Sequence, residues 1–265
     1  MGVFILICLI GSLLLGTHPK EESIREVMRD AVLHESGKIS LFGLLDVNPG
    51  LISAFVITAL LLLFAAIVRI FVIPRFRNVP GRFQLLLESW VGFFEDMAKT
   101  NSPHCHRFLG LYLFTAGSYI FLGTLFELLG LQAVTTHGLS ITLPAPLSDI
   151  NGAIALGVLS YLVILLGGIA VNRLRGLGLG LKEFSLPISM SFRLFGALLS
   201  GLLVTELVYY TLRLSFILPV IVGVLFTLLH AIIQTYVLIM LTSTYFGEVT
   251  EPPKRTKKKK KQASA

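Results

Sequence analysis

Hydrophobic and polar positions alternate on a coarse scale along this chain. Five apolar runs, Leu51–Val68, Phe108–Phe126, Ile150–Val171, Phe184–Tyr210 and Phe216–Thr242, are separated by shorter polar stretches. Each run is long enough to cross a hydrocarbon core of about 30 Å as an α-helix. A helix is the expected form because a lipid-embedded segment must satisfy its own backbone N–H and C=O groups. Residue-by-residue alternation is weak, which argues against a porin-type barrel. A sixth apolar run, Val3–Leu15, is short for a span. It reads equally as a short or tilted helix or as the apolar part of a signal sequence lacking the usual basic start.

Gly81–Thr100 has a different pattern. Apolar residues there are interleaved with Glu88, Glu95, Asp96 and Lys99, between Pro80–Gly81 and Pro103. The expectation is an amphipathic helix lying at the membrane interface, with Trp90 at a suitable depth. The expected architecture is therefore all-α: a polytopic membrane protein with about five transmembrane helices and one interfacial helix. Its expected divisions are an N-terminal apolar segment and non-cytoplasmic region over 1–50, a membrane domain over 51–251 and a basic cytoplasmic tail over 252–265.

Composition agrees. Of 265 residues, 54% are hydrophobic and 14% charged, against about 25% charged in an ordinary soluble domain. The net charge of +7 is unevenly placed, with seven basic residues in "KRTKKKKKQASA" at the end of the chain. Arg69, Arg75, Arg77, Arg82, Lys99 and Arg107 follow the first span, and Arg173, Arg175 and Lys182 follow the third. Between Leu131 and Asp149 there is no basic residue, and between Tyr209 and Ser215 only Arg213. The basic connections fall on one side if the spans alternate, which predicts a cytoplasmic carboxyl end. Thr17–Gly50, with four basic residues, then faces the other side and fits the rule less well. The tail reads as a solvated extension or an anionic-lipid or partner contact, and a hydrophobic body of this kind disfavours nucleic-acid binding.

Two cysteines, Cys8 and Cys105, give no disulfide framework. Three consecutive residues, His104–Cys105–His106, cannot all converge on one metal from regular structure. No GxxxxGK[ST] phosphate loop is present.

Ionisable residues within apolar spans are costly and mark function. Arg193 lies about ten residues into the fourth run, with no acid within nine positions on either side. A guanidinium stays charged at any physiological pH, so it serves as a fixed charge and not as a proton carrier. Ser189, Gly196, Ala197 and Ser200 share its helical face, and such small residues allow another helix to approach closely. A partner carboxylate on another helix or subunit is the expectation, with an intrachain ion pair as the alternative. In the last run, Thr227, His230 and Gln234 fall on one face, which suits either a wet path or ordinary packing, and the imidazole can exchange protons near neutral pH. Glu127, Asp149, Asn151 and Glu206 sit at predicted span ends on the non-cytoplasmic side, with Lys182 and Glu183 at the cytoplasmic side. Each alone reads as a solvated helix end; together, with an arginine between them, they have the layout of two offset half-channels.

"PISMSFRLFGALLSG" resembles the signature around the essential arginine of subunit a of the F-type ATP synthase membrane sector, and "LLHAIIQTYVLIMLTSTYFGE" resembles that family's last helix. "PLSDIN", "FELLGL" and "VPGRFQLLLESWVGFFEDM" resemble its loop, second-span and amphipathic segments. The resemblance covers most of the chain after about Leu44. It implies a long tilted hairpin of the last two helices, beside a rotating ring of c subunits and held by b-type peripheral stalk subunits and the rest of the complex. Arg193 would separate the half-channels and attract each unloaded c-ring carboxylate, while Gln234, His230, Glu206, Asp149, Asn151 and Glu127 would contribute to ion translocation. Ser189, Gly196, Ala197 and Ser200 would face the ring, and Glu183 is a candidate for the cytoplasmic exit. The implied subunit is non-catalytic and needs no cofactor or nucleotide. The coupling ion, proton or sodium, is left open, and a bacterial cytoplasmic membrane is expected, with an organellar inner membrane as the alternative. Three positions depart from the family: Ala197 replaces a usual Asn, Leu202 stands where Glu or His is common, and Thr227 stands where His or Glu is common. Glu206 and His230, each one turn away, are expected to form a shifted inlet pair. A secondary transporter binding an anion at Arg193 and a purely structural subunit are the other readings.

Overall fold

The computed structural model describes residues 39–41, 45–134, 140–211 and 218–252. Six helices dominate the described residues: α1 (Pro49–Ile67), α2 (Arg82–Asn101), α3 (His106–Phe126), α4 (Ile150–Lys182), α5 (Ser185–Thr211) and α6 (Leu218–Thr250). Two three-residue hairpin ladders, β1 (Ile39–Leu41) with β2 (Leu45–Val47) and β3 (Gln132–Val134) with β4 (Ser140–Thr142), do not alter the all-α class. Four stretches among the described residues are long and apolar enough to cross a membrane: Pro49–Arg75, His106–Leu129, Ile150–Lys182 and Gly223–Thr250. Helix α5, 27 residues long, coincides with the fourth apolar run of the sequence. The chain is a polytopic helical membrane protein. The run Val3–Leu15 and the basic tail from residue 254 lie outside the described residues.

Helix α1 starts at a cap. The Asn48 side chain accepts a hydrogen bond from the Gly50 N–H at 3.3 Å, and Pro49 sits where its missing N–H costs nothing. The helix continues past its expected end at Val68, through a π-helical turn (Val68–Val72) and a 3₁₀ turn (Ile73–Arg75). Pro74 has no N–H to return to the carbonyl four residues back, so the regular ladder loosens there.

The remaining helices form a bundle. Helix α3 runs antiparallel to α6: Phe108 packs on Phe246 with ring centroids 6.2 Å apart, and Gly117 lies against Ile239. Helices α5 and α6 also form an antiparallel hairpin, with Leu194 and Arg193 beside Val237 and Leu238, and Gly201 beside His230. Helix α4 packs on both. Its Gly157 lies against Ser191 and the Pro187 carbonyl, so α4 and α5 meet almost backbone to backbone. Fully buried Leu109, Leu113, Ile164, Met190, Ile239 and Phe246 fill the core between these helices.

Helix α2 is amphipathic as expected. Phe94 and Ala98 are buried, while Glu88, Asp96 and Lys99 are exposed. Its buried face runs antiparallel along α3. Trp90 donates from Nε1 to Ser118 Oγ at 3.0 Å and meets Phe121, Phe94 occupies the notch left by Gly117, and Ala98 lies by Gly110.

Helix α4 differs most from the sequence expectation. A connection was expected after Val171, but helical structure continues to Lys182, broken only at Arg173 (φ 51°, ψ −129°). Beyond that residue the chain folds back on itself. The Tyr161 hydroxyl donates to the Gly180 carbonyl at 3.1 Å, and Gly176 meets Gly168 backbone to backbone. A non-glycine residue in this conformation costs about 1–3 kcal/mol, and the contacts on both sides of the turn hold it. The last helix also outruns its expected end at Thr242. Its final two turns are apolar only in part, yet Phe246, Val249 and Thr250 are buried against protein. Hydropathy cannot report burial of that kind.

Candidate functional site

The face of α5 that carries Arg193 is open. Ser189, Arg193, Gly196 and Ser200 are exposed and Ala197 is half-buried. A Cβ added at Gly196 would meet nothing among the described residues within 4 Å. The opposite face, with Met190, Leu194 and Leu198, is buried in the bundle. The 3.6-residue period thus separates a sealed side from a smooth, charged side. Among the described residues the ion pairs are those of Lys99 with Glu95 and Asp96, and none involves Arg193.

Gln234 is 3% exposed and borders one narrow gap with Arg193, Met190 and Val237. The arginine and glutamine positions of α5 and α6 thus border the same gap. His230 lies one turn from Gln234 at the same seam. Its ring stacks on Phe226 (centroids 5.9 Å apart), and a Cβ at Gly201 would stand 3.3 Å from its Nδ1. Thr227 is half-buried one turn before it. Glu206 belongs to α5, but its side chain lies outside the described residues, as does that of Leu202.

Glu127 opens a 3₁₀ turn at the end of α3, closed by Gly130 at φ 57°. This turn touches α6. Extending the α3–α6 register from Phe108–Phe246 and Gly117–Ile239 brings Glu127 to the level of Thr227–Leu229, next to His230 in sequence. The sequence separates Glu127 and His230 by a hundred residues, and the fold brings them to one end of the bundle.

Asp149 is the N-cap of α4. Its Oδ1 accepts from the Asn151 N–H at 3.3 Å and from Asn151 Nδ2 at 3.4 Å. The turn before it, Pro146–Ser148, is buried among α1, α3, α4 and α5, and Gly50 of α1 lies against Asp149. The Asp–Asn motif therefore has a local structural role, a helix cap on which three other helices converge.

Glu183 is half-buried just past α4, with its N–H bonded to the Gly180 carbonyl at 3.1 Å, and Lys182 is exposed. Neither lies in the Arg193–Gln234 gap.

Several polar clamps went unread in the sequence. Asn172 Nδ2 donates to the Val249 and Glu251 carbonyls at 2.8 and 2.9 Å, which closes the end of α6. Asn101 Nδ2 donates to Ser243 Oγ at 2.8 Å, Ser102 and Thr250 hydroxyls share a hydrogen bond at 3.1 Å, and the Tyr112 and Ser160 hydroxyls share one at 2.7 Å. The only sequence signal for these is a small polar residue inside an apolar helix. At the same end, a cavity of about 370 Å³ opens between the α2–α3 connection and α6, lined by Thr100, His104, Thr244 and Glu248 among others.

Known proteins share this pattern. Residues 51–247 match the family described as the ATP synthase A chain. The ATP synthase subunit a of Cereibacter sphaeroides (strain ATCC 17025 / ATH 2.4.3) is 26% identical over 182 residues, covering 64% of this chain and 70% of that protein. The ATP synthase subunit a of Histophilus somni (strain 2336) is 25% identical over 207 residues, covering 64% and 77%. The matched region contains every described helix from α1 to nearly the end of α6, together with the open Arg193 face and its Gln234 neighbour. On that footing the chain belongs to the ATP synthase A chain family.

Proposed function

We propose that this chain is the ion-translocating stator subunit of an F-type ATP synthase, and that it passes protons or sodium ions through two offset half-channels to the carboxylates of a rotating c-ring. The observation that carries the reading is Arg193: an exposed guanidinium on a smooth helical face, with no ion pair among the described residues. An unpaired charge in hydrocarbon is costly. A carboxylate that arrives on a passing helix removes that cost while it is ionised and restores it when it is neutralised. The arginine then holds back neutral sites and favours unloading on one side only. Transfer of one charge through a potential of 100 mV supplies about 2.3 kcal/mol, which rotation delivers to a separate catalytic head. The chain itself performs no chemistry on nucleotides, and b-type stalk subunits hold it still against the ring.

Gln234, buried beside Arg193, limits where the guanidinium can swing. His230 and Glu127, brought to one end of the bundle, with Glu206 on α5, form the non-cytoplasmic inlet, and Glu183 stands near the exit. The setting is a bacterial cytoplasmic membrane. The test is ATP-driven pumping by the purified complex in liposomes, with and without sodium. Arg193→Ala abolishes coupled pumping while the subunit still assembles; full pumping by that variant would refute the reading. For the inlet, a Glu206→Gln, His230→Ala double variant that pumps normally would remove that pair from the path.

A further inference from the structure

The connection between α1 and α2 carries a feature that ion translocation does not use. A cavity of about 490 Å³ opens there, and Arg75, Arg77 and Arg82 line it. All three are exposed, and Arg69 lies six residues before Arg75 on the same segment. Among the described residues no carboxylate pairs with any of them. The nearest acid in sequence, Glu88, accepts a hydrogen bond from Gln84 Nε2 at 2.7 Å. The walls are held in place. Gln84 donates to the Arg77 carbonyl at 3.0 Å and accepts from the Arg77 N–H at 3.1 Å, which ties the loop to α2 as a strand partner would. Arg75 donates to the Phe71 carbonyl at 2.6 Å, which anchors the first guanidinium to the end of the span.

The rest of the lining is apolar and uncovered. Phe71, Val79 and Phe83 are 55%, 84% and 51% exposed. Above the cavity, the outer face of α1 is bare as well, through Leu62, Leu63, Ile67 and Ile70. This stretch ends a helix long and apolar enough to cross a membrane, and basic residues at such an end belong at headgroup level beside the hydrocarbon.

We propose that this cavity binds the headgroup of an anionic phospholipid, with the phosphate held by Arg75, Arg77 and Arg82 and the acyl chains laid along the outer face of α1. Guanidiniums recognise phosphate oxygens in paired, planar contacts. Three positive charges against one nearby carboxylate select a net-negative headgroup over a zwitterionic one. The continuous apolar face above selects a phospholipid over free phosphate. The inference needs only the membrane placement of the helices and stands apart from the half-channel reading.

The test uses the whole complex in nanodiscs of phosphatidylcholine doped with a photoactivatable phosphatidylglycerol. Labelling is mapped by mass spectrometry to the peptide 69–86. The expected result is labelling concentrated there, reduced about tenfold in an Arg77→Gln, Arg82→Gln double variant and largely kept in Arg77→Lys, Arg82→Lys. ATP-driven pumping in phosphatidylcholine liposomes serves as the fold control and stays at the unsubstituted level. Three results would overturn the proposal: labelling unchanged in the Gln double variant, equal labelling by a photoactivatable phosphatidylcholine, or complete competition by millimolar inorganic phosphate. A crosslink from position 83 to another subunit in place of lipid would also overturn it, because a protein then fills the cavity.

Discussion

Asp149 and Arg193 are both charged residues at helices of an apolar bundle, and the chain treats them in opposite ways. Asp149 is satisfied within its own turn: it caps α4, holds the Asn151 amide, and lies under the start of α1. Arg193 lies a little over two turns into α5 (Ser185–Thr211), on a face where a Cβ at Gly196 has no described atom within 4 Å. A buried polar group that finds its partner locally contributes to the fold. One displayed with no ion pair among the described residues, on a face smooth enough for a helix, is available to a group outside the chain. Residue type and hydropathy do not separate these cases. The surrounding glycines do, because some are filled by neighbours and others face open space.

The sharpest way to break this comparison is one substitution made on each kind of face. Gly157→Leu would drive a side chain into Ser191 and the Pro187 carbonyl, where backbone cannot yield. Overpacking costs about 1–3 kcal/mol where the surroundings can shift and more where they cannot. The expected outcome is loss of the subunit from the membrane fraction, read by immunoblot. A Cβ at Gly196 meets nothing among the described residues within 4 Å, so in Gly196→Leu the subunit is expected to accumulate normally while ATP-driven pumping fails, because the added side chain obstructs a passing partner. Normal pumping by Gly196→Leu would mean that no partner approaches this face.

Next in size are the internal clamps. Asn172→Ala removes the donor to the part-buried Val249 carbonyl and the exposed Glu251 carbonyl and costs about 1–1.5 kcal/mol, the net worth of such hydrogen bonds. Asp149→Ala removes a cap and costs about 1 kcal/mol. Both appear as lower denaturation midpoints of the detergent-solubilised complex. If Asp149→Ala instead leaves stability untouched and halts pumping, the residue belongs with Arg193 and the comparison fails.

Much of this was legible in the sequence. Runs of about twenty apolar residues announced the spans, the mixed pattern announced α2, and one arginine with small residues at helical spacing announced the open face. The sequence placed Gln234 on a polar face of the last run, and the α5–α6 register sets that position beside Arg193. Three things were not legible. The last turns of α6 are polar by composition and buried by context, because Asn101, Ser102 and Asn172 satisfy them. The reversal at Arg173 depends on Gly168 and Gly176 meeting across the turn, a contact between residues too close in sequence for a hydropathy pattern to reveal. The placement of Glu127 and His230 at one end of the bundle follows from a register between α3 and α6 that only packed side chains fix.

The smallest effect belongs to the exposed pair on α2. Lys99 Nζ lies 3.0 Å from Glu95 Oε1, one turn apart, and 3.7 Å from Asp96. The Lys99 hydrogen bond first, and its charge second, hold the Glu95 carboxyl below its ordinary value. A depressed carboxyl stabilises the folded state above its ordinary titration range, and that contribution is lost as pH falls through the depressed value. Both side chains are about half exposed, and such pairs contribute little because water and salt screen them. Lys99→Met is therefore expected to move the Glu95 titration, followed by carboxyl carbon resonances in labelled protein, upward toward the ordinary range without a resolvable change in the denaturation midpoint. A loss as large as that of Asp149→Ala would contradict the ranking, since a solvated pair would then matter as much as a cap on which three helices converge.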